Sequence, residues 1–490
     1  MFVRKVKSRN SICFQIGYKS QNRFVLVKHV GCAANKEKIE ALKIKAQQEL
    51  FQIQFKKQLS LFSNNITSPK AKLVSWKITG FHQTFGKAYD FIGFTDSILK
   101  DIVVTRIVCP KSKMAMVRYM NKYLGILLKK DKLFRFLDAL DKDTLTKTAF
   151  DFVLKETNGI SIVFYDVTTL YFETDKEDAL RAKGYSKDHR HDLPQILIGL
   201  FVDRRGYPFD FEFFKGSTFE GHTFQKATNQ IIRKYNLNNF VAVADAGMLS
   251  QKNINFLVSK NLSYIVGARI KNLPNKLIEE ILTHDFRRNN IYETRKGQER
   301  LIISYSEKRA KRNRASRVKS LEKLKLKLKN KNKLIRKSKY LLVGKGTKIL
   351  GLNKDKIKED EKFDGLRGYF TNLKVNSFKS EEIIEKYHHL WKVEKAFRIS
   401  KSDLCERPVF HRNIKRIESH LLICFVSLLV IKVAEDILKH VDVSMQRAIE
   451  VLGKVGQGQV NLGKIQLDVD SELDDEAKAI LDIFSDVLGH

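Results

Sequence analysis

Two short apolar runs, each ending in an aspartate, constrain the fold of this chain more than any other feature. The runs are SIVFYD, which ends at Asp166, and FVAVAD, which ends at Asp245. Uninterrupted apolar runs of this length are typical of strands that an α/β sheet buries on both faces. Because such sheets form their clefts at the carboxyl ends of the strands, we expect both aspartates to lie at a candidate active site.

The segments around these runs alternate between strand and helix patterns. Apolar segments between residues 160 and 214 are separated by turn residues, including the hairpin sequence DRRG at 203–206. A helical pattern over 221–235, the run FVAVAD, a second helix near 250–259 and the strand SYIVGARI follow. This order predicts an α/β fold with a ribonuclease-H-like mixed sheet, one of several topologies that these propensities allow.

A third acid lies in a helical pattern nearer the carboxyl end. The residues that recur there at spacings of three and four are Tyr387, Leu390, Trp391, Glu394, Phe397, Arg398 and Lys401. This spacing predicts that Glu394 lies on an otherwise apolar and basic face of one helix. Because a buried acid needs a partner, a hydrogen bond or a metal, we expect Glu394 to join Asp166 and Asp245.

Three carboxylates from two strand ends and one helix suit a pair of Mg²⁺ ions, with Mn²⁺ as a substitute. Two such ions about 3.5–4 Å apart can activate water on one side of a phosphodiester and stabilise the leaving oxygen on the other. Magnesium prefers oxygen ligands. Arg398 and Lys401, one and two helical turns after Glu394, are candidate phosphate contacts. For each aspartate taken alone, a strand-end turn or helix cap is an equally good interpretation.

The composition indicates a polyanionic partner. The chain has 490 residues and a formal charge of +36, from 91 Lys and Arg against 55 Asp and Glu. Nucleic acid is the leading partner and a membrane surface is the alternative. The longest apolar run, residues 421–431, is shorter than the roughly 20 residues that cross a bilayer, so we expect a buried helix and no membrane span.

The amino terminus and the cysteines bear on the compartment. The opening MFVRKVKSRN is basic but lacks the apolar stretch of a secretory signal, so we expect a cytoplasmic protein. Five cysteines, at positions 13, 32, 109, 405 and 424, form no CxxC pair. This spacing argues against a disulfide framework or a zinc cluster, and predicts reduced thiols in the core.

Changes of pattern divide the chain into six segments. We predict a small module of strands and one helix over 1–60, a helical DNA-binding region over 61–155, the first part of the catalytic core over 156–270, a basic insertion between the last two acids over 271–376, the second part of the core over 377–440, and an acidic helical region, a candidate for dimerisation, over 441–490. The alternative interpretation of the last segment is an amphipathic surface helix with no partner.

Basic residues concentrate in three of these places. In the helical region, Arg106, Lys113 and their neighbours are interpreted as DNA contacts, with a solvated face as the alternative. The segment 308–339 alternates Leu and Lys at periods two and four, so its structure is open; it is either a phosphate clamp or a solvated arm. In GYSKDHRHD, Lys187 and Arg190 are candidate phosphate contacts or part of a surface loop, because no second ligand pair supports zinc.

Four motifs resemble a known family. FYDVTTLYFE, GYSKDHRHDLPQILIGLFVD, VADAGMLS and YHHLWKVEKAFRISK are similar to segments of the DDE transposases of bacterial insertion sequences, the group with a Y-x2-R-x3-E-x6-K signature. Tyr387, Glu394 and Lys401 match that signature, but Leu390 stands where it has arginine. One phosphate contact is therefore missing, and Lys392, Lys395 or Arg398 are candidates to replace its charge.

The resemblance implies a mechanism and partners. By similarity, Asp166, Asp245 and Glu394 hold two Mg²⁺ ions, and Tyr387, Arg398 and Lys401 position DNA. Similar enzymes bind the terminal inverted repeats of an element as homodimers, cleave the strand, and join the 3′ hydroxyl to target double-stranded DNA. The resemblance also implies a bacterial protein that associates with the nucleoid when bound. The alternatives are a nuclease that joins no strands and an inactive DNA-binding relative.

Overall fold

The structure is a computed structural model that describes residues 1–8, 11–20, 23–61, 71–186, 192–248, 250–329, 338–343, 349–462 and 465–489. These residues form two compact units. One consists of residues 1–75 and 458–469, and the other of residues 76–457 and 470–490. The candidate catalytic residues all belong to the second unit.

The first unit begins with an antiparallel sheet and a long helix, as the sequence predicts. Its elements are β1 (Phe2–Ser8), β2 (Ser11–Ser20), β3 (Arg23–Ala33) and α1 (Lys36–Leu61). The next strand, β4 (Lys72–Ile78), contains the boundary between the two units. It pairs in a separate sheet with strands from the carboxyl end.

The antiparallel pairing of β2 and β3 corrects one prediction. Cys13 lies directly opposite Cys32, and the two thiols form a disulfide. Spacing along the chain cannot reveal this pair, because strand pairing sets which residues face each other. Cys405 is exposed rather than in the core, whereas Cys109 and Cys424 are buried free thiols as expected.

A helical region follows β4. Its helices are α2 (Lys87–Ile92), α3 (Ser97–Val108), α4 (Lys113–Tyr119), α5 (Lys130–Ala139) and α6 (Lys142–Glu156). Asp96, Ser112 and Asp141 begin α3, α4 and α6 by accepting a backbone N–H of the first turn. Each cap fixes where its helix starts, and the apolar faces pack into the main core.

The central sheet has ribonuclease-H-like topology. Its first elements are β5 (Ile162–Tyr171), β6 (Gln195–Asp203), β7 (Pro208–Lys215), α7 (Glu220–Tyr235), β8 (Val241–Ala244), α8 (Gln251–Ser259) and β9 (Ser263–Ala268). The strands lie in the order β7-β6-β5-β8-β9, with β6 antiparallel to both neighbours and β5, β8 and β9 parallel. The predicted fold class is therefore confirmed.

The insertion before Glu394 extends the same sheet. Its elements are α9 (Asn275–Thr283), β10 (Ile291–Lys296), β11 (Glu299–Tyr305), α10 (Glu307–Lys329), β12 (Leu341–Val343), β13 (Ile349–Leu352), α11 (Lys354–Glu361) and β14 (Leu366–Thr371). Strands β14, β11 and β10 follow β9 to give eight strands. Residues 308–329 of the basic segment are helical, in α10, which decides for these residues the alternative between strand and helix that the sequence left open.

The carboxyl-terminal part covers one face of the sheet. Its elements are α12 (Ser380–His388), α13 (Trp391–Arg398), α14 (Ile414–Leu438), α15 (Met445–Leu452), β15 (Gly456–Leu462), β16 (Ile465–Asp470) and α16 (Asp475–Leu488). Strands β15 and β16 complete the sheet with β4. The acidic helix α16 buries Ala477, Ile480 and Phe484, so its apolar face packs within this chain.

Helix α14 is the buried helix that the apolar run predicts. Every residue from 419 to 434 is buried. No helix in the described ranges is both long enough and apolar enough to traverse a lipid bilayer.

Candidate active site

The strand register places Asp166 and Asp245 side by side. β5 and β8 are parallel, with Ile162 beside Val241 and Phe164 beside Val243. Continuing this register by two residues brings Asp166 opposite Asp245, which immediately follows the last residue of β8. Adjacent residues in a sheet direct their side chains to the same face. Asp245 follows the end of β8 as predicted, whereas Asp166 is the fifth of the ten residues of β5, so the prediction that Asp166 ends its strand is wrong. The continued register nevertheless puts both acids on one face of the sheet.

Paired positions identify the face on which this site lies. Asp166 pairs with Leu200, and Leu200 pairs with Phe211, whose ring is 5.2 Å from that of Phe425 on α14. The neighbouring Tyr165 alternates to the opposite face, where its hydroxyl is 3.0 Å from Thr223 of α7. Asp166 is therefore on the side of the sheet that α14 covers, and it is only partly buried.

A tyrosine contacts the second aspartate. The Tyr387 hydroxyl donates a hydrogen bond to Oδ1 of Asp245 at 3.3 Å, and the side chain is 1% exposed. Burial, followed by the charge of Asp245, raises the pKa of Tyr387 to about 12. The phenol therefore remains a donor at neutral pH and orients the carboxylate.

A glycine makes room for that tyrosine. Gly267 of β9 occupies the position that neighbours Asp245 in the continued register. A Cβ added to Gly267 would lie 2.5 Å from the Tyr387 hydroxyl. Tyr369 pairs with Gly267 and packs its ring against Tyr387 at 5.0 Å in an edge-on arrangement. Asp166, Asp245, Gly267 and Tyr369 thus occupy neighbouring positions across β5, β8, β9 and β14. The last two of them lie against Tyr387.

The third acid is less buried than its spacing predicts. The expected single helix is broken at His389 and Leu390, and the turns after Arg398 widen into a π-helix over Ile399–Asp403. Leu390 and Phe397 pack inward, whereas Glu394 is exposed. The prediction that Glu394 is a buried acid is therefore wrong, because a break in the helix changes which residues share a face.

The two helices nevertheless bring Glu394 to the same region of the sheet. α12 packs on β8 and β9, and α13 packs on β5 and β6, so the pair crosses above the strands that carry Asp166 and Asp245. The Glu394 carboxylate has no ion pair or hydrogen bond within the described ranges. It is therefore available to an external partner.

The chemistry of these donors fits divalent metal ions, although they do not form one tight cluster. Among the described residues, the three acids do not bring all their ligand atoms within 4.8 Å of one another; Cys13, His29 and Cys32 do, but their two sulfurs are joined in the disulfide. A pair of ions about 3.5–4 Å apart does not require every acid to reach the same ion. Three carboxylates, with Glu394 exposed and unpaired, supply the oxygen ligands that hard divalent cations prefer.

The basic residues on α13 have separate positions. The ammonium group of Lys392 donates to the Arg204 carbonyl, and Lys395 is paired with Glu435 at 2.9 Å. Both are thus engaged, and neither supplies the charge that the signature loses at Leu390. Arg398 is exposed, and Lys401 is half-buried in the π-helix.

Arg367 on β14 is a candidate site residue that was not predicted from the sequence. Its guanidinium carbon lies 4.7 Å from the centre of the Tyr387 ring. Arg367 and Arg309 of α10 line a cavity of about 400 Å³, and neither forms an ion pair among the described residues. Partial burial, followed by the charges of these two arginines, lowers the pKa of His388. Period-two alternation in GLRGYFTNL, which puts Arg367 on the same face as Tyr369, is the signal that could have identified it.

Other predicted DNA contacts lie elsewhere. Lys113 is 7% exposed and Arg106 is 3% exposed, so neither lies on the solvated face that was the alternative interpretation, and their role as DNA contacts stays a prediction. Both side chains extend from helices α3 and α4 of the helical region and pack against the segment 405–411, which follows α13. Lys187 and Arg190 lie outside the described residues, and the candidate loop GYSKDHRHD is therefore not placed.

Comparison with known families decides the class of protein. The profile of the Transposase DDE domain matches residues 157–430, more than half of the chain, from just before β5 into α14. The chain belongs to the DDE transposase family. The match contains both aspartates, the insertion and Glu394, so the elements of this transposase that carry the acids are those of the family domain.

Other comparisons add little. A search of curated proteins gives no match. Among solved structures, the Mos1 transposase paired-end complex with left transposon end aligns at 13% identity over 31% of this chain, with a TM-score of 0.16. The aligned part spans 48% of that chain, about half its length. The fold assignment rests instead on the strand order and register given above.

Proposed function

We propose that this transposase cleaves and joins DNA at the ends of an insertion sequence, with Asp166, Asp245 and Glu394 as ligands for two Mg²⁺ ions. The observation that supports the proposal is the parallel pairing of β5 with β8, which, continued by two residues, brings the two aspartates side by side near the helix bearing an exposed, unpartnered glutamate. When bound, the ions would activate the attacking oxygen and stabilise the leaving oxygen of a phosphodiester.

The chain's own residues prepare the site for this chemistry. Tyr387 holds one oxygen of Asp245 by hydrogen bonding and keeps its own proton at neutral pH. Val167 donates its backbone N–H to Oδ1 of Asp166 at 2.8 Å, which restricts that carboxylate. Restricted carboxylates lose little conformational entropy when they bind a ligand, so the site is partly preorganised.

Basic residues near the acids are proposed to hold the DNA. Arg367 and Arg309 approach the site from the insertion, and Arg398 is exposed one turn beyond Glu394. We propose that Arg367 contacts the phosphate that the signature arginine would contact, since its guanidinium lies over Tyr387. The net charge of +36 is consistent with binding of terminal inverted repeats and target DNA. Pairing of two ends by a homodimer belongs to the same proposal.

The decisive experiment measures Mg²⁺-dependent cleavage of DNA that contains the element ends. Asp166→Asn should lower the cleavage rate by roughly 10³-fold or more, since a lost metal ligand costs about 4 kcal/mol of transition-state stabilisation. Glu173→Gln is the matched control, because this exposed acid lies just after β5. Undiminished cleavage by the Asp166 variant would exclude the proposed ligand role.

A second measurement separates a transposase from a nuclease. Purified wild-type protein is incubated with pre-cleaved element ends and a supercoiled plasmid in Mg²⁺. Joined products are expected. Cleavage without joining would instead favour a metal-dependent nuclease of the same fold.

A further inference from the structure

A cluster of buried cations lies outside the acid site. Arg106 of α3 and Lys113 of α4 meet the segment 405–411 and His420 of α14 around a cavity of about 180 Å³, which we call the cation cavity. A cavity of this size admits a phosphate group or several waters. Its walls come from the helical region and from the chain just beyond the π-helix.

Lys113 occupies the cavity wall without a counter-charge. Its Nζ lies 3.3 Å from Nδ1 of His420, whose Nε2 faces the Glu406 carbonyl at 2.8 Å. The carbonyl requires a proton on Nε2, so Nδ1 accepts from the lysine. An ammonium group has three donors, and within the described ranges only this one is used.

Arg106 adds a second unsatisfied donor. Its two terminal nitrogens donate to the carbonyls of Lys111 and Cys405 at 2.8 and 2.7 Å. Its Nε is buried and has no partner among the described residues. A buried donor without an acceptor costs about 1–3 kcal/mol, so a site that keeps one calls for an acceptor.

The nearby carboxylate does not neutralise these cations fully. Glu406 is 2% exposed, accepts a hydrogen bond from Ser400 at 2.6 Å, and has its pKa raised by burial. His411 adds a further imidazole, 5.8 Å from that of His420 between ring centres. Burial and neighbouring Arg106 lower the pKa of Lys113 to about 7, which is the response of a cation that lacks an anion.

The rim of the cavity suits a nucleic acid strand. Lys111 is exposed, Arg407 is partly exposed, and the Phe410 ring is 69% exposed. The segment is fixed to the catalytic sheet by the Val409 N–H, which donates to the carbonyl of Tyr171 at the end of β5. An exposed aromatic ring beside cations can stack a base while a phosphate enters the cavity.

We propose that the cation cavity binds a phosphate group of the DNA backbone. The donor is Lys113 Nζ, the buried guanidinium of Arg106 adds positive charge behind the cavity wall, and Lys111 and Arg407 attract the strand to the rim. The DNA source rests on the proposed function, whereas affinity for the phosphate group itself does not. Inorganic phosphate presents the same chemistry, so the test uses both sources.

The first arm measures inorganic phosphate alone. At matched ionic strength, exchanging chloride for phosphate at about ten times its Kd should raise the wild-type Tm by about 1–2 °C. Lys113→Met should abolish that shift. Arg118→Gln, which removes an exposed charge from the same helix, should retain it. No phosphate effect on the wild type would overturn the cavity as a phosphate site, whatever the protein does to DNA.

The second arm measures binding to duplex DNA as salt is varied. Lys113→Met should reduce the slope of log affinity against log salt by about 0.9, the value for one phosphate. Lys113→Met could abolish the rise in Tm with phosphate and yet leave the salt slope of DNA binding unchanged. That result would assign the site to free phosphate and overturn the proposal that it binds a phosphate of DNA. If Lys113→Met does not fold, Lys113→Gln keeps a hydrogen-bond donor for His420 while removing the charge, and the same outcomes apply.

Discussion

The acid row, by which we mean Asp166 and Asp245 on the sheet together with Glu394 on α13, and the cation cavity hold like charges together in opposite ways. Asp166, Asp245 and Glu394 are exposed or partly exposed, and water screens their repulsion. Arg106 and Lys113 are buried, where repulsion and lost hydration are much stronger. An exposed cluster of like charges lowers the stability of the unliganded protein only slightly. A buried cluster lowers it more, until an ion of opposite charge binds. Mutations in the two places should therefore differ in what they change.

The largest effect is expected in the acid row. Glu394→Gln should reduce Mg²⁺-dependent cleavage by roughly 10³-fold, because it removes a proposed metal ligand. Stability should remain within about 0.5 kcal/mol, since the carboxylate is exposed and unpartnered. The checks are cleavage rate and urea unfolding, with Glu385→Gln on α12 as control. A large loss of stability would remove the contrast with the cavity.

The next effect tests how the row is packed. Gly267→Ala places a methyl group 2.5 Å from the Tyr387 hydroxyl, and should destabilise the protein by about 1–3 kcal/mol while disturbing the bond to Asp245. Gly247→Ala is the matched control, because its Cβ would meet only Oδ2 of Asp245 at 3.9 Å. Thermal unfolding and cleavage rates of the two variants provide the comparison. Equal behaviour would show that Tyr387 is not confined there.

The difference in stability between Lys113→Met and the wild type should depend on pH. The pKa of Lys113 is about 7 in the folded protein and near 10.5 in the unfolded chain. Between these two pH values the unfolded chain binds more protons than the folded protein. The contribution of Lys113 to the free energy of unfolding therefore rises with pH. Lys113→Met lacks that contribution. In chloride buffer the variant should be more stable than wild type at pH 6, and its advantage should shrink by pH 9. Urea unfolding at several pH values measures this difference, and a constant difference would contradict a buried charged lysine.

The smallest effect concerns a single phosphate beside the acids. Arg367→Gln should lower the salt slope of DNA binding by about 0.9 and leave metal affinity unchanged, whereas Arg367→Lys should retain most of the slope. Arg288→Gln, on an exposed loop of the insertion, is the control for loss of charge alone. An unchanged slope for Arg367→Gln would leave the missing signature arginine without a replacement.

The sequence predicted the sheet and two of its acids because local signals carry that information. Apolar runs ending at Asp166 and Asp245, with a hairpin between β6 and β7, leave few sheet orders. The exposure of Glu394 was not predictable, because the break at His389 and Leu390 contains neither proline nor glycine. Tertiary packing, rather than propensity, sets that break.

Long-range contacts account for the remaining differences. The Cys13–Cys32 pair depends on strand register, and the place of Arg367 depends on β14 joining β9 beside Tyr387. Lys113 occupies an ordinary basic helical segment, and only the packing of α14 against α3 and the 405–411 segment encloses it. No local pattern distinguishes such a lysine from a solvated one.

The continuous eight-stranded sheet limits how this enzyme can move. β14 is hydrogen-bonded along β9, so strands β10, β11 and β14 of the insertion belong to the same sheet as the strands that carry the acids, and they do not form a separate lid. Under the proposed function, a phosphate held by Arg367 of β14 would therefore keep a fixed distance from Asp166 and Asp245. On that proposal, each DNA strand to be cut or joined would be brought to the acids by movement of the DNA itself.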